Sequence, residues 1–132
     1  MNIGKMDKVF VPINVDLNHW CLAVVNRQNK TIRYYDSLGG SGQSARRTLL
    51  DWLEHEEEQR LGEDKCLFDP DDWQTFGPSP DHPRQGNGND CGVFMLAFAS
   101  YLADDQPLDF CQADVASMRR RIVWSLMNQR LV

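Results

Sequence analysis

The chain has 132 residues, 42% of them hydrophobic and 25% charged, a size and balance that suit one globular domain over residues 1–132 with a core that needs no staples. Its net charge of −5 and isoelectric point near 5.0 argue against broad nucleic-acid binding. No apolar run has the length of a membrane span, and Met1-Asn2-Ile3-Gly4-Lys5-Met6-Asp7-Lys8 lacks the apolar centre of a signal peptide, so the chain reads as a soluble intracellular protein.

Val9-Phe10-Val11-Pro12-Ile13-Asn14 is a short β-type run, and its proline suggests an edge or a strand beginning. Trp20-Cys21-Leu22-Ala23-Val24-Val25 and Thr31-Ile32-Arg33-Tyr34-Tyr35 follow, joined by Asn26-Arg27-Gln28-Asn29-Lys30, a connection of hairpin length. Three strands this close together predict an antiparallel meander. Asp36-Ser37-Leu38-Gly39-Gly40-Ser41-Gly42 is a loop by composition.

A helix is expected from roughly Gln43 to Arg60, with Ala45, Leu49, Trp52 and Leu53 at helical spacing. Its Glu54-His55-Glu56-Glu57-Glu58 end reads as a solvated face. From Gly62 to Asn89 the chain is rich in Asp, Pro and Gly, with one short strand expected at Trp73-Gln74-Thr75-Phe76. So long an irregular segment inside a compact domain is either functional or disordered. A second helix is expected from about Asp90 to Ala103, ended by Asp104-Asp105-Gln106-Pro107. A third starts after an Asp114 cap and carries Val115, Met118, Ile122 and Leu126 on one face, with Arg119, Arg120 and Arg121 as an exposed basic cluster. Strands, helix, short strand, helix, helix is an α+β order.

The four cysteines, Cys21, Cys66, Cys91 and Cys111, are scattered, with no C-x-x-C and no paired histidines nearby. Neither a disulfide framework nor a metal site is expected. Cys91 stands apart by its setting. Gln85-Gly86-Asn87-Gly88-Asn89-Asp90-Cys91-Gly92 is a tight turn by composition and runs into the apolar Val93-Phe94-Met95-Leu96-Ala97-Phe98. Cys91 therefore falls at a helix N-terminus, where unpaired N–H groups and the helix dipole favour an anion such as a thiolate. A free cysteine packed into the core is the competing reading.

A thiol protease needs a nucleophilic Cys, a His to take and return its proton, and a polar group to hold the His. Of the three histidines, His19 opens a strand in Asn18-His19-Trp20, whereas His55 lies in the charged helix end and His82 in the proline-rich loop. Asp36 ends the neighbouring strand, so a paired hairpin would bring His19 and Asp36 together. Gln85, six positions before Cys91, has a side-chain amide able to donate to the oxyanion of a tetrahedral intermediate beside the Cys91 N–H.

These residues, in His19-Trp20, Tyr34-Tyr35-Asp36-Ser37-Leu38-Gly39-Gly40 and Gln85 through Gly92, closely resemble the core of the ubiquitin-like-protein-specific cysteine proteases, the sentrin/SUMO-specific peptidases. The likeness extends through Val11-Pro12-Ile13, His19 to Val25, Pro107-Leu108-Asp109-Phe110 and Met118 to Trp124. The resemblance implies a papain-like cysteine protease fold, a short antiparallel or mixed sheet with flanking helices. It implies Cys91 as nucleophile, His19 as general base and acid, Asp36 as orienting residue and Gln85 as oxyanion donor, with no cofactor.

By the same resemblance Trp20 would roof the channel that admits the modifier's Gly-Gly tail, although a Trp opening a strand is also a usual core residue. The implied reaction is cleavage after that Gly-Gly, which deconjugates lysine-linked SUMO and processes its precursor. SUMO and SUMO-conjugated proteins are the implied partners of a monomer in the nucleus, the cytoplasm or both. A protease of a sister modifier, Nedd-type or ubiquitin, and a fragment that only binds the modifier are the alternatives. Family domains carry a substantial segment before the Val11-Pro12-Ile13 strand, and only about ten residues precede it here. The chain is accordingly expected to be a C-terminal catalytic portion, with apolar surface exposed where the further helices would pack.

Overall fold

The structure, a computed structural model, describes residues 6–132, so most of the Met1–Lys8 segment lies outside the described residues. Four strands form one sheet in the order β1 (Lys8–Val15), β2 (His19–Asn26), β3 (Thr31–Tyr35) and β4 (Gln74–Phe76). The first three are the expected antiparallel meander, with Val15 opposite His19 and Leu22 opposite Tyr35. β4 pairs parallel to β3, with Arg33 opposite Phe76, which makes the sheet mixed.

β2 is apolar at successive positions because both of its faces are covered. Cys21, Ala23 and Val25 point, with Tyr34 and Ile32 of β3, to α1 (Gln43–Leu61), packing on Ala45, Leu49 and Leu53. Leu22, Val24 and Tyr35 point the other way, to α2 (Cys91–Ala103) and α3 (Val115–Asn128). Phe94 and Phe98 of α2, each 1% exposed, anchor that second layer with Phe110, Val115 and Met118. Truncating either to Ala would cost about 3–5 kcal/mol. The architecture is α+β, helices on both faces of a small mixed sheet.

Three expectations change. Glu57, placed in the solvated helix end, is buried, and its carboxylate accepts from Arg27 at 2.5 Å and Arg60 at 2.8 Å. Burial alone would push its pKa up, but the two guanidiniums hold it below the ordinary value. The reason is tertiary: Arg27, in the β2–β3 turn, reaches across to the helix. Leu126, placed on the inward face of α3, is 74% exposed, because the last turns of that helix run past the core. It joins Leu96, Met118, Ile122 and Leu131 around an apolar groove of about 280 Å³ between α2 and α3. Asp114 does stand at the N-cap of α3, but its carboxylate accepts from the Cys111 N–H at 2.8 Å rather than from its own helix.

The irregular stretch between α1 and α2 is structured: it holds two 3-10 turns, Glu63–Lys65 and Pro70–Asp72, as well as β4. His82 stacks on Tyr35 with ring centroids 4.9 Å apart, and its Nδ1 accepts from the Ser79 N–H at 3.2 Å. The loop is thereby laid along the sheet up to the turn that precedes Cys91.

Candidate active site

The β2–β3 register puts Asp36 one step beyond the last ladder pair, across from Cys21. His19 lies two residues from Cys21 on the same face. The predicted meeting therefore occurs: His19 Nε2 and Asp36 Oδ1 are 2.7 Å apart. Asp36, 5% exposed, also accepts from the Leu38 N–H at 2.7 Å and the Gly40 N–H at 3.0 Å. Burial pushes this carboxyl up, but the bonds from His19 and from the Leu38 N–H outweigh it and hold the pKa below its ordinary value of 3.8. An ionised carboxylate can only accept, so Nε2 carries the proton and Nδ1 is left as a base. Gly40 is a steric requirement of this wrapping, since a Cβ there would stand 2.7 Å from Asp36 Oδ2.

Cys91 is the first residue of α2 and is 7% exposed. The two readings of its setting are thus combined: it is buried, and it stands where the helix dipole favours negative charge. Trp20, next to His19, is 41% exposed and so is not a core residue. Its indole lies near Gly92, where a Cβ would sit 3.8 Å from Trp20 Cδ1. The indole therefore lies beside the residue that follows Cys91, at the head of the helix.

Gln85 is held at three points. Its backbone N–H donates to the Ser37 carbonyl at 3.1 Å, its side-chain oxygen accepts from the Ser37 hydroxyl, and its amide nitrogen donates to the Asn87 carbonyl at 2.6 Å. The amide has a second hydrogen to offer. Ser37 follows Asp36, so the residue that fixes Gln85 is adjacent to the one that fixes His19.

Sequence reasoning missed Ser37, Cys21 and the partners of Asp90. The ligand atoms of His19, Cys21 and Asp36 lie within 4.8 Å of one another, spacing that a metal could use. The chemistry disfavours it. Burial pushes the Cys21 thiol up to about 12, and a metal would need that thiol deprotonated and the His19–Asp36 bond broken. Arg119, read as part of an exposed basic cluster, is bound to Asp90, which also accepts from Asn87 at 2.6 Å and Gln112 at 2.8 Å. No local pattern announces this partnership. The only sequence cue is an acidic residue immediately before the cysteine.

Comparison with known proteins agrees with this geometry. Residues 1–130 match the Ulp1 protease family, C-terminal catalytic domain. The chain is 32% identical to mouse sentrin-specific protease 2 over 133 aligned positions, covering all of this chain and 22% of that protein. In structure it is similar to the C-terminal Ulp1 protease domain in complex with Smt3, the yeast ortholog of SUMO, with TM-score 0.77 and 35% identity over 96% of this chain and 54% of that one. It is similar also to the SUMO protease Ulp1 with its catalytic cysteine oxidised to a sulfonic acid, with TM-score 0.73 and 34% identity over 96% of this chain and 56% of that one. The chain thus spans about a fifth of the mouse relative and about half of the solved catalytic domains. With a His–Asp pair at paired strand ends, a cysteine heading a buried helix and a match over residues 1–130, the chain belongs to the Ulp1 protease family, to its C-terminal catalytic domain.

Proposed function

We propose that this chain is a thiol protease and isopeptidase that cleaves after the C-terminal Gly-Gly of SUMO, releasing lysine-linked SUMO and processing its precursor. The observation that carries the reading is the 2.7 Å His19–Asp36 bond, which presents His19 with a free Nδ1 at the strand end whose neighbour, Trp20, covers the head of the Cys91 helix. The similarity to sentrin-specific protease 2 and to a Ulp1 domain solved with Smt3 supports SUMO as the modifier.

In this mechanism His19 Nδ1 takes the Cys91 proton as Sγ attacks the terminal glycine carbonyl. The oxyanion that forms accepts from the Gln85 amide and the Cys91 backbone N–H. His19 then gives its proton to the departing lysine amine or peptide nitrogen, leaving a thioester between Cys91 and the glycine. Water, deprotonated by His19, attacks the thioester and frees the Cys91 thiol. Asp36, ionised throughout, holds the imidazole and stabilises its charged form. Trp20 over Gly92 passes glycines and rejects residues with a Cβ. The chemistry needs no cofactor. By likeness to the family, the same reading takes the enzyme to act as a monomer in the nucleus, the cytoplasm or both.

The test is cleavage of a SUMO precursor and of a SUMO–lysine conjugate by wild-type chain and by Cys91→Ser, beside ubiquitin and Nedd-type equivalents. Hydrolysis of the SUMO substrates alone, abolished in Cys91→Ser, is expected. An undiminished rate in that variant sinks the catalytic assignment. Preference for ubiquitin or the Nedd-type substrate moves the activity to a sister modifier, and binding of SUMO without cleavage makes the chain a binding fragment.

A further inference from the structure

Gln85 and Cys91 flank Gly86-Asn87-Gly88-Asn89-Asp90, a run whose composition gives it many backbone choices. Mechanistically the two must keep a fixed separation, because the amide of one and the N–H of the other meet the same oxyanion. Something outside the run has to hold it. Gln112, in the 3-10 turn before α3, bridges its two ends: its side-chain oxygen accepts from the Gly86 N–H at 2.7 Å, and its nitrogen donates to Asp90 at 2.8 Å. Arg119, one turn into α3, donates to the other Asp90 oxygen. Asn87 closes the run on itself, donating to Asp90 at 2.6 Å and accepting from the Asp90 N–H at 3.2 Å.

Asp90 also carries a charge problem. A carboxylate one residue before Cys91 opposes a thiolate at that position. The guanidinium of Arg119 faces it and cancels that charge, and the same contact tethers the helix head to α3.

We propose that Arg119, working with Gln112 through Asp90, is a positioning residue for the reaction: it fixes the Gln85–Cys91 separation and neutralises the carboxylate beside the nucleophile. The proposal rests on the function given above. The bonds from Arg119, Asn87 and Gln112 hold the Asp90 carboxyl down at about 2, so the ion pair persists throughout the working pH range. Arg119 reaches Asp90 from a side chain that is 52% exposed, which makes the contact removable without opening the core.

The experiment compares wild type, Arg119→Ala, Arg119→Lys, Gln112→Ala and the surface control Arg120→Ala, with two readouts. One is turnover of SUMO bearing a C-terminal aminocoumarin. The other is the rate at which iodoacetamide alkylates Cys91 at neutral pH, which needs no modifier. Arg119→Ala should lose kcat on the order of ten- to a hundredfold with KM little changed and should alkylate several times more slowly. Arg119→Lys, which keeps the charge, should recover most of the alkylation rate. Gln112→Ala should lose kcat with less effect on alkylation, and Arg120→Ala should match wild type. Wild-type kcat and alkylation in folded Arg119→Ala overturn the proposal, as does an equal loss in Arg120→Ala. Should Arg119→Ala fail to fold, Arg119→Lys and Gln112→Ala decide by the same two rates. If wild type turns over no SUMO substrate, the functional reading fails while the alkylation rates still decide the role of Arg119.

Discussion

Ser37 and Gln85 are joined twice, once when the Gln85 N–H donates to the Ser37 carbonyl at 3.1 Å and again when the Ser37 hydroxyl donates to the Gln85 side-chain oxygen. Ser37 is 2% exposed and follows Asp36 directly. One short loop therefore sets both His19, the proposed general base, through Asp36, and Gln85, the proposed oxyanion donor, through Ser37. Gln85→Ala should lower kcat by about 10²–10³, the usual result of losing an oxyanion donor. Ser37→Ala removes only the bond that aims the amide and should give a smaller loss in kcat with KM nearly unchanged. Steady-state kinetics of the two variants and the double variant test this, and the double should be no worse than Gln85→Ala alone.

Gly40 is where the loop closes on the Asp36 carboxylate. In Gly40→Ala the new Cβ, built 2.7 Å from Asp36 Oδ2, forces the carboxylate or the loop aside. Activity should fall well before stability does, since the clash is with a functional oxygen and not with the core. A kcat comparison alongside a thermal melt reads this directly, and wild-type kcat in the variant would show that the loop yields freely.

Acid should not switch off the His19–Asp36 pair by titrating Asp36. Its folded pKa lies below the ordinary 3.8 because the bonds from His19 and Leu38 outweigh burial. The sign is that of a depressed carboxylate: its stabilising contribution is full above the unfolded value and is lost as pH falls through the lower folded one. A limb in kcat/KM assignable to Asp36 should consequently be absent above about pH 4, and pH–rate profiles would reveal one if it existed.

His82 makes the opposite demand on conditions. Burial against Tyr35 and Phe98, helped by the charges of Arg33 and Arg84, holds its pKa below the ordinary 6.5. The fold prefers neutral His82, whose Nδ1 accepts from the Ser79 N–H. Its contribution is thus complete above 6.5 and declines as pH falls toward the depressed folded value. Melting temperature should drop between about pH 7 and about pH 5, and His82→Phe, which keeps the stack and cannot charge, should flatten that drop. An equal slope in both proteins would assign it to other groups.

What the sequence disclosed follows from the range of the forces that specify it. The bounds of Thr31–Tyr35, and those of α1 to within one residue, are legible because alternation, helical spacing and glycine breaks are local signals. The His19–Asp36 contact could be foreseen because a hairpin ties pairing to sequence distance. The position of β4 is legible to within a residue, but its parallel pairing with β3 is not, since that partner lies more than a helix away. Glu57 departs for the same reason: a charged residue on a helix looks solvated until another element brings its counter-ion. Arg119 is exposed as expected, and what stays illegible is its partner, Asp90. A channel role for Trp20 is suggested only by family likeness; the structure adds that it is exposed and lies near Gly92.

The most direct measurement is intact mass after the purified chain is incubated with SUMO carrying a C-terminal vinyl sulfone, beside ubiquitin and Nedd-type probes. A single adduct with the SUMO probe, absent in Cys91→Ala and slowed in His19→Ala, is the predicted result. It would establish nucleophile, base and modifier together. A folded wild-type chain that forms no adduct with any probe, or an adduct that survives Cys91→Ala, would contradict the account.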